Sequence, residues 1–152
     1  MSTTANDVEL VLRLYELRRE PEMRKARAWY LAEFDPQSGR DVADLMLAGF
    51  DASAKFRMVT TYWEMAASFV NNRGIDEKMF MDANTEHIAV LAKIEPFLSE
   101  IRELFLDPEY LVQLERLVMK VPDAREVLAK RRKLLARWTR KKEADGAEEL
   151  NT

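Results

Sequence analysis

The side chains that could do chemistry in this chain of 152 residues are few, because it has one histidine and no cysteine. Structural zinc needs closely spaced Cys and His. A di-iron bundle needs Glu followed three residues later by His, twice. The residues before His87 are Asn84, Thr85 and Glu86, so neither metal site has a basis here. Phosphate-cradling loops need closely spaced glycines, whereas Gly39 and Gly49 stand ten apart with no Lys-Ser or Lys-Thr pair behind them. A serine triad would have to use His87 as its only base and lacks a glycine-flanked serine. No catalytic set, no metal and no cofactor is therefore expected. His87, in the first turn of a helix beside Ile88, reads as an ordinary surface or boundary histidine.

Glu64 is the acid whose setting invites a role. It lies within a helix expected from Asp51 to Arg73, which projects at about 100° per residue onto a wide apolar arc. Phe56, Val59, Trp63, Ala66 and Val70 take one side of that arc; Met58, Tyr62, Met65 and Phe69 take the other, the methionines reading as core filling. Glu64 falls opposite, in a polar arc with Arg57, Thr60 and Ser68. A solvated or locally paired carboxylate is the plain expectation. The sharper one is a polar groove of Arg57, Thr60, Glu64 and Ser68 whose hydrogen bonds fix helix register.

Charge gives the strongest functional hint. The formal net charge is −3, yet Arg125 to Lys142 holds nine basic residues against Glu126 alone, a local +8. Glu143 to Thr152 carries four acids, which leaves −7 for residues 1–124. The basic stretch is also amphipathic, with Val127, Leu128, Leu134, Leu135 and Trp138 in one stripe and Arg131 at its centre. Its charge could meet the protein's own acidic body, an acidic partner, nucleic acid or an anionic membrane surface. The leading expectation is protein binding by self-association, a dimer favoured, with that stripe as the interface. The alternative is an anion-binding module for nucleic acid or anionic lipid.

These groups must be positioned by helices. Glycine is scarce, no hairpin signals appear, and every long segment has helical spacing. Asp7 suits a first cap, and Pro21 interrupts or kinks the chain before Met23 to Phe34. Asp35 to Gly39 is a loop, and Val42, Leu45, Met46 and Phe50 mark a short helix. Gly74 offers a left-handed stop after the long helix, and Asp76 caps a short turn through Phe80. A kinked helix from Thr85 to Leu106 contains Pro96. Asp107-Pro108 opens the next helix, through Val121, and the last runs from about Pro122 to Lys142. The expected fold is all-α: an irregular bundle of about five to seven helices around a central helix near 51–73. Residues 1–142 form one domain, and 143–152 an acidic tail too poor in apolar residues to pack. No stretch approaches the ~20 apolar residues of a membrane span. Asp7, Glu9 and Glu16 stand where a signal peptide needs an apolar run, so the cytoplasm is the expected compartment.

The run Tyr62, Trp63, Glu64, then Phe69, Val70, Gly74, Ile75, Asp76 and Phe80, with the later Pro96 and Arg102, resembles an uncharacterised bacterial helical family catalogued as domain of unknown function 4760. The likeness covers roughly residues 52–105, and an aromatic expected shortly before Pro96 is replaced by Leu91, Ala92 and Lys93. It implies a helical fold and no known activity, and it draws attention to Glu64 and Arg102 as an ion pair. Antiparallel helices on either side of the turn near Met79 would leave the two about 12 Å out of register, which argues against direct pairing.

Overall fold

The structure is a computed structural model that describes the backbone of residues 3–150 and their side chains except at 140–144 and 147–150. Among the described residues there are helices and no strand. In chain order they are α1 (Ala5–Arg18), α2 (Pro21–Ala32), α3 (Gly39–Leu47), α4 (Asp51–Asn71), α5 (Glu77–Ala83), α6 (Glu86–Ile94), a 3-10 turn (Glu95–Phe97), α7 (Leu98–Leu104), α8 (Val112–Met119) and α9 (Ala124–Leu150). The all-α bundle expected from periodicity is what forms.

Local chemistry explains the boundaries. Thr4 caps α1 while Asp7, at the third helical position, bonds back to Thr4; Asp7 is thus half of a capping box and not the cap itself. Pro21 starts α2 at a position where the missing N–H costs nothing, so it divides two helices and does not kink one. Pro96 sits in the 3-10 turn that separates α6 from α7. At the end of α4 the left-handed residue is Arg73 (φ 63°), not Gly74. Glycine is still favoured at 74, because a Cβ there would lie 3.1 Å from the Phe69 carbonyl oxygen and would press that backbone back by a few tenths of an ångström. Asp107-Pro108 opens a turn and not a helix; α8 begins only after the left-handed Leu111 (φ 54°).

The core runs through Tyr30, Phe56, Trp63, Phe80, Leu91, Ile94, Leu98, Ile101, Leu114, Leu117 and Leu128. As expected of a central element, α4 packs against α2, α3, α5, α6 and α8. Its wheel is used differently from the expectation. Met58, Met65 and Phe69 are exposed, while Thr60 is buried and Glu64 half-buried under α8. The reason is polar: α8 begins with unpaired amides and docks on the side of α4 that offers an acceptor. Every residue of α6 from His87 to Ile94 is buried.

Candidate functional site

Ala, Glu, Leu, Lys and Arg dominate α9, all strong helix formers, so a long helix follows the Val121-Pro122 break. It lies on α6 and α2 and also touches α8. Leu128 and Leu135 are buried beneath it, so they do not belong to an exposed stripe; this corrects the interface expected at Val127, Leu128, Leu134, Leu135 and Trp138. Body contact takes the side of the helix bearing Leu128, Leu135 and Thr139. Val127 and Arg131 are left half-buried at its edge, with Leu134 48% and Trp138 52% exposed. The backbone remains helical to Leu150, beyond the expected end at Lys142. The expectation for the tail 143–152 falls mostly on side chains outside the described residues.

The basic residues of α9 divide into two sets. Arg125 and Arg132 both reach Glu95, at 3.3 and 3.4 Å, and Arg132 also donates to the Ala92 carbonyl. Lys130 pairs with Glu126 one turn away. Lys133 and Arg137 are exposed, and neither they nor Arg131 have an acid within ion-pair distance among the described residues. The acidic body therefore neutralises only part of this helix. Side chains of Arg140, Lys141 and Lys142 lie outside the described residues.

Glu64 is half-buried, and among the described residues no cation lies within ion-pair distance of it. Its carboxylate accepts from the Gln113 and Leu114 amides at 3.0 and 2.7 Å, capping the N-terminus of α8 from the neighbouring helix. Arg102 approaches the same segment from α7, donating from Nε to the Tyr110 carbonyl and from Nη2 to Glu115. The two residues that the family resemblance singled out thus grip one turn without touching each other. Of the expected groove, Thr60 donates to the Phe56 carbonyl and meets the phenol of Tyr110, which burial pushes up to about 12. Arg57 points back to the Ser53 carbonyl, and Ser68 accepts from Asn72, so these two do not line a groove with Glu64. What joins α4 to α8 here is the Glu64 carboxylate on the first amides of α8, with Thr60 beside Tyr110.

His87 corrects a second expectation. Its imidazole is fully buried between Trp63 and Phe80, with ring centroids 5.7 and 5.2 Å away. Apart from Glu86 and Lys93 the rest of α6 is apolar, and a helix of that kind belongs in a core. Neither ring nitrogen nor the Trp63 indole nitrogen has a hydrogen-bond partner among the described residues. Burial, helped by Arg131, pulls the imidazole down to about 4.

Lys93 escaped the sequence reading. It is buried, and its ammonium donates to the Tyr30, Leu31 and Phe34 carbonyls at the end of α2, with all three N–H groups committed. Burial pulls it down to about 8, so it is still mostly cationic at neutral pH. Beside it opens a cleft of about 330 Å³ lined by Asp35, Gln37, Lys93, Phe97, Arg132 and Leu135 among others. Its lysine already serves the protein's own acceptors. A lysine in the otherwise apolar run Ile88 to Ile94 was the available signal. Glu86 was missed too: it takes Arg27 at 2.9 Å and Arg18 at 3.8 Å. No group of acids or histidines that could hold a metal occurs among the described residues.

No curated protein and no solved structure matches the chain. A family model does, and over more of the chain than the resemblance suggested: residues 3–121, from the cap of α1 through α8 and up to the break before α9. The grip of Glu64 and Arg102 on the start of α8 lies inside that span, and the chain belongs to the family described as Domain of unknown function (DUF4760).

Proposed function

We propose that this protein acts by binding, with the outward side of α9 as its docking site for an anionic surface. The observation that carries this is the charge left over: Arg131, Lys133 and Arg137 have no acid partner among the described residues, although α9 is held to an acidic body by Leu128, Leu135 and two arginines. Phosphate or carboxylate groups are the chemistry such a face recognises. At about 0.1 M salt, charges further than ~10 Å away are screened, so the local positive face acts despite the net charge of the whole chain. Retention on phosphocellulose tests this. The protein should bind at low salt and elute as salt rises, while the Lys133→Glu, Arg137→Glu double variant should pass through unretained. Passage of the unaltered protein at low salt would end the proposal.

A second reading, self-association, is favoured by apolar stripes that the fold leaves open. Met58, Met65 and Phe69 on α4 and Val8, Leu12 and Tyr15 on α1 are each between 37% and 54% exposed at helical spacing. On this reading the interface lies on α1 or α4 and not on α9. Light scattering should then give a dimer that Met65→Glu with Phe69→Glu converts to a folded monomer. A monomeric unaltered chain contradicts it.

A further inference from the structure

Resting on the anion-binding reading, we infer that the surface α9 docks on is an anionic lipid bilayer, along which the helix lies in the plane of the headgroups. Projected at about 100° per residue, Val127, Lys130, Arg131, Leu134, Arg137 and Trp138 share one face centred on Leu134; between 127 and 138 no acid falls on it, and the first acid on that line is Asp145, three turns beyond Leu134. Two kinds of group alternate there. The cations fit lipid phosphate and serine carboxylate groups; Leu134 and Trp138, one turn apart and about half exposed, fit the boundary between headgroups and acyl chains. Arginine and lysine stems can lie along that boundary with their charged ends in the headgroups. A nucleic acid would satisfy the cations alone and leave the Leu134–Trp138 pair in water. No described helix is long and apolar enough to cross a membrane, which fits in-plane contact and not insertion. With Val127 half-buried against the body, two exposed apolar side chains anchor weakly, so binding should need both charge and apolar contact.

The test uses the full chain with two vesicle preparations, phosphatidylcholine alone and phosphatidylcholine with phosphatidylserine at about three to one, and with soluble polyphosphate as a purely ionic probe. Trp138 is the most exposed tryptophan, since Trp63 is 1% exposed and Trp29 half-buried. Its emission should therefore shift to the blue on serine-containing vesicles and not on phosphatidylcholine alone. Leu134→Ser with Trp138→Ser should weaken vesicle binding on the order of tenfold or more and leave polyphosphate binding within about twofold, because only the apolar contact is lost. Both positions are half exposed, so the variant should melt within a few degrees of the parent. Three results overturn the inference. If polyphosphate or duplex DNA binds and vesicles do not, the partner is another polyanion and the anion-binding reading stands. If vesicles bind with no change in emission and no loss in the double variant, the contact is ionic only. If neither vesicles nor polyphosphate bind, the inference and the anion-binding reading fall together.

Discussion

Replacing Lys93 by methionine should lower the thermal midpoint by about 10 °C. The lysine ammonium closes the C-terminal end of α2 by donating to the carbonyls of Tyr30, Leu31 and Phe34, and it also stands 5.8 and 6.0 Å from the Tyr30 and Phe34 rings. Methionine keeps most of the stem volume and removes every donor. Buried carbonyls without a partner cost about 1–3 kcal/mol each where water cannot reach them. The adjoining cleft admits some water, so a total near 3 kcal/mol is expected, and each kcal/mol is worth about 2–4 °C in a chain of this size. Melting followed by circular dichroism checks it. A fall of under about 2 °C would show that water already serves these carbonyls and that the ammonium is dispensable.

Acid should destabilise the protein through His87 in particular. The group is held at about 4 when folded, against 6.5 in the unfolded chain. Between those values the unfolded state binds the proton and the folded state does not, so stability is complete above pH 6.5 and falls as pH drops toward 4. At 1.36 kcal/mol per unit the loss approaches ~3 kcal/mol. The charged groups around it do not relieve it. Arg131 from α9 opposes protonation, Arg18 from α1 sits 5.5 Å over the adjoining Trp63 ring, and the neighbouring Glu86 is already engaged by Arg18 and Arg27. His87→Leu removes the titration, so urea unfolding at pH 7, 5 and 4 should show a shallower decline in the variant. Parallel declines in the two proteins would mean that carboxylates alone set the acid limit.

Much of the architecture was legible because helical spacing and capping residues act locally. The long α4, the Asp76 cap of α5 and the breaks at Pro21 and Pro96 follow from rules that need only a few neighbouring residues. What the sequence could not supply was which face of a helix its neighbours would choose. α4 carries both an apolar arc and a polar arc, and α8 covered the polar one because Glu64 satisfies the Gln113 and Leu114 amides, leaving Met58, Met65 and Phe69 in solvent. That outcome depends on a partner about fifty residues away in sequence. His87 and Lys93 were misplaced or overlooked for a related reason. The spacing of Ile88, Leu91 and Ile94 marks a single apolar face on α6, whereas α9, α8, α2 and α4 all pack on the helix and bury its polar members too. The α9 stripe was half right: its residues are apolar and helically spaced, but burial of Leu128 and Leu135 made one half core. Cutting the chain at Val121 would therefore remove core residues, and point changes on the outer face are the cleaner probe of function.

The central claim, that the outward side of α9 meets an anionic surface, is tested most directly by lysine acetylation of the folded chain with and without soluble polyphosphate, read residue by residue by mass spectrometry. Lys130, Lys25 and Lys78 have side chains 73%, 69% and 83% exposed, so all three should react readily in the free protein. With polyphosphate, Lys130 and Lys133 should be protected several-fold, while Lys25 on α2 and Lys78 on α5 keep their rates. Equal protection at all four, or protection at Lys25 and Lys78 with none on α9, would contradict the account.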